Sequence, residues 1–217
     1  EPVWVATHNA DLEAVLEQTP LSRWPDLCFF QNGMLRPWLQ QHGLEDNTQC
    51  LVYMAASTGE DGEPKVVDGK LTAVRGRHAD HLASVLNGGG VACRVLRSQE
   101  FEEQMVEKLL WASIFWCMSA AHGGMPVGRI VDGPLRIVVG DLVGELLPLA
   151  TSFLGLQSAD AGAVTDRLCE YSSSIPRAVP SADMARAEFE WRNGWFLSQG
   201  ITPLHTEYLR MAGVDVV

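Results

Sequence analysis

The apolar pattern changes character near residue 98, and one kind of layer cannot satisfy both halves of the chain. Before that point the apolar runs are short and turn-bounded: Val3-Trp4-Val5-Ala6, Leu27-Cys28-Phe29-Phe30, Cys50–Ala56, Val66–Val74 and Val91–Leu96. Runs of this kind read as strands. Ser57-Thr58-Gly59-Glu60-Asp61-Gly62 reads as the turn between two of them, and Gly88-Gly89-Gly90 as the end of a helix before the last. Beyond residue 98 the apolar positions extend over whole helices. Ser98 can cap the first of these, with Glu100, Glu102 and Glu103 placed against the helix dipole and His122-Gly123-Gly124 as its end.

A second helix is expected from about Pro134 to Gly155, with Pro148 kinking it. A third follows Ser158, a fourth spans about Ser181 to Gln199, and Thr202-Pro203 opens a short last one. Two domains follow from this: an α/β domain over 1–97 and an all-α domain over 98–217. The apolar run Leu109–Met118 is too short to span a membrane and reads as a buried helix.

The first 33 residues read as strand, helix, strand, with apolar helical spacing from Asp11 to Leu16. In a doubly wound dinucleotide fold the pyrophosphate rests on a helix N-terminus behind a glycine-rich turn. No segment of this chain matches that turn after a strand. The given chain reads as a Rossmann-like domain without its first βαβ unit.

A net charge of −11 argues against nucleic acid or an anionic membrane as the main partner. The five cysteines have no C-x-x-C spacing, which fits a reducing intracellular compartment and no structural zinc; cytoplasm, plastid and mitochondrion stay open. His78 and His81 with Asp80 lack a third ligand at metal spacing and read as a solvated helix.

Ser172-Ser173-Ser174 followed by Glu188-Phe189-Glu190-Trp191-Arg192-Asn193-Gly194, together with Gln31-Asn32-Gly33 and Lys108-Leu109, resembles the ketopantoate reductase family. The resemblance implies a partial Rossmann-like sheet domain followed by that family's helical, 6-phosphogluconate dehydrogenase C-terminal-like domain. It also implies NADPH-dependent reduction of a 2-oxo acid. By it, Lys108 is the general acid that protonates the ketone oxygen, and Glu188 the carboxylate that binds the substrate hydroxyl and fixes the lysine. Asn32 would lie near nicotinamide and substrate, Ser173 and Ser174 would contact substrate, and His8 would stand near the cofactor phosphate.

Each position also has a plainer reading: a turn at Asn32, an exposed lysine at the edge of a buried face, an exposed helix acid at 188, and a serine-rich helix end. Glu190, two residues on, points elsewhere and is the weaker acid. Departures from the resemblance are specific. Ala112 and Trp116 stand where the family places asparagines four and eight residues beyond the lysine, and His8 stands where it often has lysine. The expectation is a non-catalytic relative serving as scaffold or subunit of a larger, organellar or other, assembly and holding no cofactor in this form. The alternative is an active NADPH-dependent reductase of the 2-dehydropantoate 2-reductase type whose nucleotide-binding segment lies outside the given sequence. An open sheet edge and seven tryptophans lead to the expectation of a protein partner or self-association.

Overall fold

The computed structural model describes residues 1–58 and 64–216, and the side chains of these except 54–58 and 64–68. The chain divides into two compact units, Glu1–Phe101 and Glu102–Val217.

The first unit runs β1 (Val3–Val5), α1 (Leu12–Gln18), β2 (Leu27–Phe29), α2 (Arg36–Gln41), β3 (Thr48–Leu51), β4 (Met54–Thr58), β5 (Pro64–Asp68), β6 (Thr72–Arg75), α3 (Ala79–Gly88) and β7 (Cys93–Val95). Five strands form one sheet in the order β1-β2-β3-β6-β7, parallel except where β3 meets β6. Alternation along β2 sends Cys28 to one face, with Cys50, Val74 and Cys93 beneath Leu82 and Ala83 of α3. Phe29 points the other way and meets Trp38 of α2 edge-on at 5.8 Å. Helices therefore cover both faces, as the nearly unbroken apolar strands require.

The two long strands expected at Cys50–Ala56 and Val66–Val74 are each divided. Residues 54–58 and 64–68 leave the main sheet and pair as a separate antiparallel ribbon. At the junction the Tyr53 N–H donates to Thr72 Oγ1 (3.0 Å), and the Gly69 N–H to the Tyr53 carbonyl (2.7 Å). Lys70 adopts φ +58°, a left-handed conformation that ends β-pairing. Of the expected turn, Ser57 and Thr58 lie in β4 and Gly59–Gly62 lie outside the described residues. The triple glycine does end α3: the Gly89 N–H bonds the Val85 carbonyl at 2.9 Å and Gly90 takes φ +84°.

The second unit contains most of α4 (Ser98–Ala121), followed by α5 (Val127–Val131), α6 (Leu135–Leu154), α7 (Ala161–Ser174), α8 (Ala182–Ala187), α9 (Asn193–Gln199) and α10 (Pro203–Met211). Ser98 is the first residue inside α4 rather than its cap, and Glu100 accepts from the Arg97 N–H (3.2 Å). The helix α6 continues through Pro148. The carbonyl that proline leaves without a donor belongs to exposed Gly144, where water can take its place.

With a mean hydropathy of 1.7 over its most apolar stretch, α6 is long and apolar enough to cross a membrane. It nevertheless buries Val139, Leu142, Val143, Leu146, Leu147 and Ala150 and packs on α5, α7, α9 and α10, as a core helix does. The continuous helix expected over 181–199 is broken. It ends at Ala187, passes through a 3-10 turn at Phe189–Trp191, and restarts at Asn193 after Arg192 leaves helical geometry (φ −120°, ψ −101°).

Candidate functional site

In the first unit the candidate residues sit at the C-terminal ends of parallel β1 and β2, where open α/β sheets bind ligands. The Phe30 N–H extends the ladder to the Val5 carbonyl at 3.1 Å. Gln31 is buried, and its amide Nε2 donates to the carbonyls of Val5 and Thr7, both at 3.1 Å. Its Oε1 is buried and meets no protein donor. Asn9, also buried, donates from Nδ2 to the Asn32 carbonyl (3.0 Å).

Asn32 is thus half-buried in a turn completed by Gly33 at φ +89°, its backbone held from the neighbouring loop. His8 is exposed and starts the helical turn that leads into α1. Of the two residues that hold this corner together, Gln31 stood in the Gln31-Asn32-Gly33 motif without a role of its own, and Asn9 carried no distinctive sequence signal. His78 is engaged with Asp26 (Nε2 to Oδ1, 3.1 Å), and among the described residues no group of three metal-ligating side chains gathers.

In the second unit Lys108 is half-buried on α4, followed by the buried Leu109 and Leu110. Ala112 is half-buried and Trp116 is 2% exposed, so one residue four places along the helix offers no polar group and the next offers an indole. The Trp116 Nε1–H is buried without a protein acceptor. One turn beyond Lys108, Trp111 stacks on Phe115 (5.5 Å) and donates from Nε1 to Ser172 Oγ (2.9 Å). That bond joins the lysine's helix to the serine cluster of α7.

All three serine hydroxyls donate to their own helix: Ser172 to the Leu168 carbonyl (2.9 Å), Ser173 to Cys169 (2.9 Å) and Ser174 to Tyr171 (2.6 Å). Ser172 is fully buried, whereas Ser173 and Ser174 are exposed. Their oxygens retain acceptor capacity, while their protons are committed to the backbone.

Glu188 departs from the exposed-acid reading. It is 3% exposed, ends α8, and forms an ion pair with Arg192, whose side chain is itself only 12% exposed. The spacing is four residues, yet the intervening chain is the 3-10 turn and not a continuous helix. Gly194 permits this compact crossing, because a Cβ there would lie 3.0 Å from the Phe189 carbonyl oxygen. Glu190 is exposed, as its offset of two residues requires.

Next to this pair lies a polar cluster. His205 is completely buried, with Nε2 2.8 Å from Asn193 Oδ1 and Nδ1 3.3 Å from Thr202 Oγ1. Burial pushes its pKa down to about 4, so the ring is neutral at pH 7. With the proton on Nε2, both contacts are satisfied: His205 donates to Asn193 and Thr202 donates to Nδ1. Glu145 of α6 accepts the Leu204 N–H (3.0 Å) and the His205 N–H (2.8 Å), filling the start of α10 from another helix. Of these residues only Asn193 stood out in the sequence. Glu188 was a candidate in the sequence, but its burial and its pairing with Arg192 were not read there.

Six of the seven tryptophans are buried or half-buried, which removes them as ready interface anchors. Trp4, 40% exposed, is the exception and stacks on Phe30 at 5.2 Å.

No protein-family model and no curated protein sequence matches the chain. Its fold does match solved structures over nearly its full length. A PanE/ApbA family ketopantoate reductase from Ralstonia eutropha JMP134 superposes with a TM-score of 0.68 at 19% identity, covering 97% of this chain and 75% of that one. D-mandelate dehydrogenase, solved in complex with NADH, gives a TM-score of 0.73 at 14% identity over 98% of this chain and 77% of that one. A dimeric ketopantoate reductase from Staphylococcus aureus gives 0.68 at 15% identity over 97% and 75%. Identities this low establish architecture alone: a partial Rossmann-like sheet followed by a helical domain, the ketopantoate reductase-like fold.

Proposed function

We propose that this chain keeps the acid-binding framework of a 2-oxo acid reductase without its reducing chemistry, and serves as a scaffold or subunit of a larger assembly. The observation that carries this reading is the face of α4 beyond Lys108. Ala112 and the buried Trp116 leave no amide there to hold a substrate oxygen or to orient the ammonium. A lysine acts as a general acid only when its proton is aimed and its surroundings tune its pKa. The committed protons of Ser172, Ser173 and Ser174 support the same reading.

A second reading, an active NADPH-dependent reductase, is favoured by one specific observation. Glu188 is buried in an ion pair, an arrangement that stability alone does not call for, because hydrophobic replacements are often as stable. In that reading Asn32 lies near nicotinamide and substrate, His8 near the cofactor phosphate, and Lys108 protonates the ketone oxygen. NADPH would be the reductant, as the NADH bound in D-mandelate dehydrogenase is a nicotinamide cofactor of a similarly folded protein.

The test is NADPH oxidation by the natural full-length protein with branched and aromatic 2-oxo acids, monitored at the nicotinamide absorbance band. No turnover above the uncatalysed rate is expected. Turnover that Lys108→Ala abolishes would replace the first reading with the second.

A further inference from the structure

Three Asn-Gly pairs occur in the chain: Asn32-Gly33, Asn87-Gly88 and Asn193-Gly194. In such a pair the glycine nitrogen can attack the preceding side-chain amide, because no Cβ obstructs the approach and the backbone turns freely. A helix or a held side chain suppresses the attack by fixing the two groups apart. The fold holds two of the pairs. Asn87-Gly88 ends α3, and the Asn87 Nδ2 donates to the carbonyls of Ala83 (2.7 Å) and Cys93 (3.0 Å) while its Oδ1 accepts the Cys93 N–H (3.0 Å). Asn193-Gly194 opens α9, with Asn193 completely buried, its Oδ1 2.8 Å from His205 Nε2, and Gly194 packed on Phe189. Asn32-Gly33 differs in each respect. It lies outside helix and strand, between β2 and α2, with both residues half-buried and in reach of water. Gly33 takes φ +89°, and among the described residues its N–H meets no backbone acceptor.

From this contrast we propose that Asn32 is a self-modification site, at which the native fold permits deamidation while protecting the other two pairs. The Gly33 nitrogen attacks Asn32 Cγ and gives up its proton, the new N–Cγ bond closes a succinimide ring, and the Cγ–Nδ2 bond breaks to release ammonia. Water then adds to one of the two ring carbonyls and opens the ring to aspartate or isoaspartate. The sum is amide plus water giving carboxylate plus ammonium, with no oxidant or reductant. Either product places a negative charge at the C-terminal ends of β1 and β2, where open α/β sheets bind ligands. Isoaspartate also reroutes the main chain through the former side chain, and so shifts the Asn32 carbonyl that accepts from Asn9 Nδ2 at 3.0 Å. The proposal holds under both readings of function, because it rests on where the fold leaves an Asn-Gly pair unheld.

The experiment is peptide mapping by mass spectrometry of the intact natural protein aged in mildly alkaline buffer, beside the same protein aged in urea. Isoaspartate is assigned with a methyltransferase specific for isoaspartyl carboxylates. In urea the three pairs should react at similar rates, since their local chemistry is the same. In the folded protein, conversion at Asn32 should outpace that at Asn87 and at Asn193 at least tenfold. Asn32→Gln, whose longer side chain closes its ring far more slowly, should leave residue 32 an amide over the same period. A folded protein that converts Asn87 or Asn193 as fast as Asn32 overturns the proposal. A folded Asn32 that stays an amide while its counterpart in urea is consumed overturns it equally, by showing that this turn is held as firmly as the helices.

Discussion

Two stretches of the helical unit carry the residues by which this chain resembles the reductases, and they have diverged in opposite directions. On α4, Lys108 is followed by Ala112 and Trp116, and the helix interior from Ile114 to Met118 is packed at 0–2% exposure. Between α8 and α9, by contrast, the chain breaks its helix and buries Glu188 and Asn193 beside a half-buried Arg192. The first stretch has the composition of an ordinary core. The second retains charge where burial makes charge costly. A motif match ranks the two equally, and desolvation does not. The polar break is therefore the better guide to function.

The sharpest way to break this comparison is to remove one side of the buried pair. Arg192→Ala leaves Glu188 at 3% exposure without its counter-charge and should destabilise the unit by about 3 kcal/mol, the low end for a broken buried pair because Arg192 is not wholly enclosed. Urea denaturation measures it. A loss below about 1 kcal/mol would put the pair in the class of surface ion pairs and dissolve the contrast.

A similar effect should follow from pH. The unfolded His205 takes up a proton as pH falls through 6.5, whereas the folded ring stays neutral until about pH 4. Stability is therefore complete above pH 6.5 and declines as pH falls toward 4, by ~3 kcal/mol from the gap between the two values at ~1.4 kcal/mol for each pH unit. Denaturation midpoints of the wild type and of His205→Asn, which keeps a hydrogen-bonding group opposite Asn193, should converge as the pH is lowered. Parallel curves would show that His205 does not titrate as its burial implies.

The smallest effect belongs to α4. Trp116→Phe deletes a buried N–H without a protein acceptor and keeps the aromatic packing, so the change should stay within about 1 kcal/mol of neutral. A loss above 2 kcal/mol would mean that this face holds its own polar network, and the two stretches would then be alike.

Much of the architecture was legible because it rests on local signals. The ends of α3 and α6 fall at Gly88–Gly90 and at Gly155, where left-handed or open backbone favours glycine. The start of α10 falls at Thr202-Pro203, since proline suits a first turn. The break between α8 and α9 was marked only on its far side, by Asn193-Gly194: Phe189-Glu190-Trp191 contains neither glycine nor proline, and its residues tolerate a helix. The division of the strands at Tyr53 and Lys70 was silent, because a threonine hydroxyl nineteen residues downstream helps set it.

The sequence by itself determined the change from strands to helices, most helix ends, and the positions of Asn32, Lys108, Glu188 and Ser172–Ser174, since periodicity and capping act within a few residues. Only the tertiary structure decided which of these would be drained of water. Glu145 reaches α10 across sixty residues, Trp111 reaches Ser172 across sixty-one, and Glu188 is buried to 3% exposure beside the Arg192 guanidinium. Burial is a property of the assembled core, and the energy of a charge or an N–H depends on it more than on the residue's identity.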